Sequence, residues 1–162
     1  MALDGAYLHA VRQELLSLID ARIEKIHQPT REELIIAFRS RTGGAKVLFS
    51  CAADRARVHF TKVAIENPKA PPMFCMLLRK RLGNGKLLGI RQDGLERVLY
   101  FDFSCVNELG DIVQLTLAME IMGRYSNLIL VDETGKVIDS MKRVDATMSS
   151  KRLVLPGLPY EM

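Results

Sequence analysis

Tryptophan is absent from this 162-residue chain, and aromatic residues make up only 6% of it. Cysteine is scarce as well. Cys51, Cys75 and Cys105 are odd in number, widely spaced and never paired as Cys-x-x-Cys. That argues against a disulfide framework and for reduced, buried thiols inside a cell. His9, His27 and His59 do not cluster with them, so no metal site is expected. No apolar run approaches the ~20 residues of a membrane span, and no basic segment precedes an apolar one at the start. A cytoplasmic protein with no membrane partner is the expectation. Glycines do not gather into a loop between a strand and a helix, which argues against P-loop and dinucleotide-binding folds. Ser50, Ser104, Ser126, Ser149 and Ser150 never stand in Gly-x-Ser-x-Gly, and carboxylates are scattered through turns and helix starts. Neither an enzyme nor a cofactor is expected.

What the chain does have is aliphatic residues in short patterned runs. Hydrophobic residues are 48% of it, and the formal charge is +4. That is enough for one ordinary core, and the mild basicity permits a polyanion partner without demanding one. Residues 4–20 carry Tyr7, Leu8, Val11, Leu15, Leu18 and Ile19 on one side, an amphipathic helix with Asp4 where an N-cap would stand. From Arg22 the period changes to two. Strands are expected at 22–27, 33–39, 46–51, 57–61, 86–91, 97–103, 113–121, 127–131 and 136–141. Val113, Leu115, Leu117, Met119 and Ile121 alternate with Gln114, Thr116 and Glu120, predicting one dry and one wet face. Gly43-Gly44, Asp93-Gly94 and Thr134-Gly135 read as hairpin turns. The fold class is α+β: an antiparallel, β-sandwich-like domain flanked by two helices. The end, from Pro156 to Met162, is rich in Pro and Gly, so residues 1–155 read as the domain and 156–162 as the start of a linker.

The second helix runs from Pro72 to Leu82. Phe74, Leu77, Leu78 and Leu82 face a core, and Arg79, Lys80 and Arg81 crowd the last turn. Those cations are either a solvated face that suits the helix dipole or a phosphate-facing patch. Glu96-Arg97 follows the Asp93-Gly94 turn and opens an apolar strand, where charges commonly protect an edge. Gly123-Arg124-Tyr125-Ser126-Asn127 joins two strong strands and reads as a turn closed by a side-chain hydrogen bond.

Four segments together resemble one family. They are Ile23-Glu24-Lys25-Ile26-His27-Gln28-Pro29; Glu66-Asn67-Pro68 running into Pro71-Pro72-Met73-Phe74-Cys75-Met76-Leu77-Leu78-Arg79-Lys80; Glu120-Ile121-Met122-Gly123-Arg124-Tyr125-Ser126-Asn127-Leu128-Ile129-Leu130; and Leu155-Pro156-Gly157. The chain resembles the NFACT-N domain of RqcH-type ribosome quality-control factors, often labelled fibronectin-binding protein A in bacteria. The resemblance implies a tRNA- and ribosome-binding module. Its partners would be alanyl-tRNA, an obstructed large ribosomal subunit and the factor's remaining modules, and the outcome would be untemplated C-terminal tailing. Peptide bonds would be made by the ribosome, leaving this domain without catalysis. An Asp-Arg pair of the family corresponds to Glu96-Arg97, with Glu for Asp, and Asp4 is carried over from the early Asp-Gly. Arg79, Lys80, Arg81 and Arg124 are then candidate phosphate contacts. The family's fold is similar to the N-terminal domain of formamidopyrimidine-DNA glycosylases, but Met1-Ala2-Leu3 lacks the proline those enzymes use as nucleophile. A fibronectin-binding adhesin and a DNA-binding domain remain as alternative readings.

Overall fold

Period-two runs separated by turn residues must pair with their neighbours to satisfy their backbones, and here they pair in sequence. A computed structural model describes residues 2–62, 64, 69–149 and 152–161; the side chains of residues 2–4 lie outside that description. Glu66-Asn67-Pro68 of the resemblance also lies outside it. The strands are β1 (Arg22–Thr30), β2 (Glu33–Ser40), β3 (Gly43–Ser50), β4 (Arg57–Thr61), β5 (Lys86–Arg91), β6 (Val98–Val106), β7 (Ile112–Glu120), β8 (Asn127–Val131) and β9 (Val137–Ser140). All pairings are antiparallel, in the order β4-β3-β2-β1-β5-β6-β7-β8-β9.

This sheet is folded on itself. Phe38 of β2 and Phe103 of β6 stack at 6.4 Å, and Phe49 of β3 meets Phe101 edge-on at 5.2 Å. In a flat sheet β2 and β6 would be three steps, roughly 14 Å, apart. The fold line is the junction of β1 and β5, where Arg22↔Lys86 is the registered pair and a few bonds, such as Ile23 N–H to Gly85 O at 2.9 Å, carry the contact. The inner faces of both halves then share one core of Leu34, Ile36, Phe38, Phe49, Leu99, Phe101, Phe103 and Leu117. Helix α1 (Ala2–Leu15) adds Leu8, Val11 and Leu15, and α2 (Met73–Leu82) adds Phe74, Cys75, Leu78 and Leu82.

Three expectations are corrected. Asp4 is not an N-cap: α1 already begins at Ala2, so Asp4 sits in its first turn. The helix also stops at Leu15, passing into a 3-10 turn at Leu16–Leu18 rather than continuing to Asp20, whose φ of 75° breaks it. Glu120 is not on a wet face. It is fully buried, because residues 152–161 return over the outer face of β6–β8 and supply partners: Arg152 grips both carboxylate oxygens and Tyr160 donates to Oε2 at 2.6 Å. Residues 156–161 are fastened there as well, with Val137 N–H to Leu158 O at 2.8 Å and Tyr160 N–H to Gly135 O at 2.8 Å.

Candidate nucleic-acid interface

The antiparallel register sorts the candidate residues into two ends of the sheet. At one end β6 begins beside the close of β7, with Ile121 N–H bonded to Arg97 O at 2.9 Å. Arg97 stands one residue before β6 rather than within it, and is half-buried. Its guanidinium makes no hydrogen bond or ion pair among the described residues. Glu96 is exposed, its N–H tied to Asp93 O at 3.1 Å within the turn. The first turn of α1 abuts this same turn. A Cβ on Gly5 would lie 1.7 Å from Leu95 O, so only glycine permits the approach. Asp4-Gly5 and Glu96-Arg97, far apart in sequence, are thus neighbours in space; the Asp4 side chain lies outside the described residues.

Arg124 is at this end too. Gly123 takes φ 58° to turn the chain out of β7, and Ser126 Oγ closes the turn by accepting from Met122 N–H at 2.8 Å and donating to Gly123 O at 2.7 Å. Asn127 clasps the backbone of Lys142 in both directions, at 2.7 and 3.0 Å. The expected side-chain-closed turn is present, and its product is display. Arg124 is exposed, its guanidinium 4.9 Å over the ring of Tyr125, which is itself 68% exposed. Lys142, which the sequence reading passed over, joins the two halves of the sheet here through Cys51 O at 2.7 Å and Glu32 at 3.1 Å. Its only signal in the sequence is a basic pair following a strand.

Lys80 and Arg81 lie at the opposite end, beside the β6–β7 turn, and Arg79 lies against β1. Nine residues of β6 separate the two ends, roughly 30 Å at strand rise. The three cations are not alike. Arg79 turns inward and donates to Ile26 O at 2.8 Å, Lys80 pairs with Glu108 at 2.8 Å, and Arg81 makes no hydrogen bond or ion pair among the described residues. The bond to Lys80 holds the Glu108 carboxyl below its ordinary range. One segment of charges therefore contains a packing residue, a paired residue and an available one.

The three thiols are poor nucleophiles. Cys51, Cys75 and Cys105 are buried free thiols; burial pushes Cys51 up to about 12 and Cys105 up to about 11, so thiolates are scarce at neutral pH. Among the described residues no group of three His, Cys, Asp or Glu side chains could hold a metal ion. No described helix is long and apolar enough to cross a membrane.

The family model described as NFACT N-terminal and middle domains matches residues 4–162. A protein of Bacillus subtilis named Rqc2 homolog RqcH is 42% identical over the whole chain, which covers 29% of that protein. Its namesake in Streptococcus suis is 40% identical over 99% of the chain, again 29% of its own length. Among solved structures, the N-terminal domain of fibronectin-binding protein PavA from Streptococcus pneumoniae superposes with a TM-score of 0.93 at 38% identity. That match covers 98% of this chain and 60% of the other. The N-terminal part of the fibronectin/fibrinogen-binding protein of Streptococcus suis gives 0.93 at 40% identity with the same coverage. The chain spans less than a third of the length of these curated relatives.

Proposed function

The chain belongs to the NFACT family, and on that premise we propose that it is the RNA-engaging N-terminal module of a ribosome-associated quality-control factor. The reading extends to a cytoplasmic factor that recruits tRNA, alanyl-tRNA in the first instance, to obstructed large ribosomal subunits for untemplated tailing. The module binds and orients, while the ribosome makes the bond. The matched part is less than a third of the curated relatives' length, which leaves room for further modules in such a factor.

The observation that carries this reading is Arg97. An arginine with no ion pair among the described residues, held one residue before a strand begins, keeps its planar fork for an outside partner. Glu96 beside it is an acceptor for a 2′-hydroxyl or a base amine. The Arg124–Tyr125 pair offers an aromatic face and a second guanidinium, the equipment with which proteins stack and grip unpaired nucleotides. The extra methylene of Glu over the family's Asp lengthens the acceptor's reach without changing its charge. Arg81, at the far end, suits a phosphate of a longer RNA.

Binding of the protein to tRNA, duplex DNA and fibronectin at two salt concentrations tests this. The expected result is preference for tRNA with a steep salt dependence. Removing Arg81 should flatten that slope by up to about one log-log unit for a lost phosphate contact. The solved relatives are named for fibronectin binding, and salt-insensitive binding to fibronectin with none to tRNA would favour that second reading. A preference for duplex DNA would instead favour the glycosylase-like alternative.

A further inference from the structure

We propose that Gln92 is a positioning residue for Arg97, its side-chain amide locking the Asp93–Arg97 turn onto the first turn of α1. This rests on the reading of Arg97 as an RNA contact. The Gln92 Nε2 group donates to two backbone carbonyls at once, Gly5 O at 3.0 Å and Glu96 O at 2.7 Å. The Glu96 carbonyl belongs to the peptide plane that enters the Arg97 Cα, and the Arg97 carbonyl belongs to the plane that leaves it. The first is held by Gln92 and the second by the Ile121 N–H at 2.9 Å. Both planes flanking the Arg97 Cα are therefore restrained, and with them the direction in which its side chain departs.

The residue type follows from the acceptors. Two carbonyl oxygens converge on one point, which demands a nitrogen with two hydrogens; turning the amide over would set its oxygen against both. The other amide atom, Oε1, is buried and has no hydrogen-bond partner. An unmade acceptor at a buried atom is unfavourable, and the two donated bonds are what hold the amide in that orientation. Contact between the two segments also needs Gly5, whose backbone packs directly on Leu95 O. The role goes beyond holding the fold together, because the restraint ends at an arginine whose fork has no partner among the described residues.

The test combines two variants with two readings. Gln92→Met keeps length and removes both donors; Gln92→Glu keeps shape and replaces the donor with oxygen, so one serves if the other fails to fold. In a variant whose thermal melt shows it folded, 15N relaxation should show the Arg97 amide loosening from an order parameter of ~0.85 towards ~0.6, with β7 and β8 unchanged. Affinity for tRNA should fall about tenfold, the effect of losing hydrogen bonds that orient a contact. On an Arg97→Ala background the same change at Gln92 should cost nothing more. An unaltered Arg97 amide, or an equal loss of affinity with and without Arg97, overturns the proposal. If Arg97→Ala alone leaves tRNA binding intact, the RNA reading fails, while relaxation still decides whether Gln92 positions Arg97.

Discussion

At the scale of single residues, the same side-chain type does different work according to what the fold sets beside it. Arg79 donates to a carbonyl, Arg152 neutralises a buried carboxylate, and Arg97 does neither among the described residues. Arg97→Lys replaces a planar fork with a point charge, so tRNA affinity should drop severalfold while net charge is unchanged. Since a half-buried arginine without an ion pair contributes little to the fold, stability should stay within about 0.5 kcal/mol. Wild-type affinity in a binding titration of the Lys variant would remove Arg97 from the interface. Arg152→Met should behave in the opposite way. It strands the Glu120 carboxylate in a fully buried position, which typically costs about 3–5 kcal/mol. Urea denaturation should report that loss, and Glu120→Gln combined with Arg152→Met should recover part of it. A cost below about 1 kcal/mol would mean that water reaches Glu120 freely.

Among the elements, the decisive junction is α1 against the β5–β6 connection. Leu8, Val11 and Leu15 dock the helix on the core, and Arg12 Nε reaches Ile90 O at 2.6 Å. The closest approach of helix to connection is Gly5 against Leu95 O, where a side chain has no room. Gly5→Ala places a methyl group inside a backbone oxygen's radius, so the helix or the turn must move. We expect a loss of about 1–3 kcal/mol, the usual range for overpacking, together with weakened tRNA binding. Thermal melts and binding titrations of the variant check both, and an unchanged melting temperature would show that α1 slips without cost. The turn at 123–127 works by another device. Its side-chain bonds are internal, so it stays in place while Arg124 and Tyr125 project outward.

For the whole molecule, buried acidic groups set an alkaline limit. Burial raises Cys51 to about 12 and Cys105 to about 11, and it raises Tyr160 too, with the neighbouring Glu120 carboxylate adding to the effect. An acid whose folded value is raised binds its proton more tightly in the native state. Its contribution is fully present below the unfolded value and is lost as pH rises through the folded one. Melting temperature should therefore fall from about pH 9 upward, where unfolded thiols ionise, and fall faster above about pH 10, where unfolded tyrosine joins them. Tyr160→Phe should flatten the upper part of that decline. A melting temperature that is level from pH 8 to 11 would contradict it.

The strand and helix pattern was legible in the chain because it depends on local periodicity. Alternation from Val113 to Ile121, turn residues at Gly43 and Gly135, and the Pro-led second helix each report their own neighbourhood. The antiparallel α+β class followed from those signals, and membership of the family from the Pro71–Lys80 and Glu120–Leu130 runs. Two things were decided only in three dimensions. One is the folding of a single sheet at the β1–β5 junction, which brings Phe38 onto Phe103. The other is the sorting of the cations, since a register of nine-residue strands sends Arg97 and Arg124 to one end and Lys80 and Arg81 to the other, while Arg79 turns in against β1. A run of charge in sequence records composition, whereas pairing depends on which backbone carbonyl or carboxylate the fold brings within about 3 Å. That is why Gln92, an unremarkable turn residue in sequence, becomes the side chain joining residues 5 and 96, and why Glu120, polar by pattern, ends with no exposure at all.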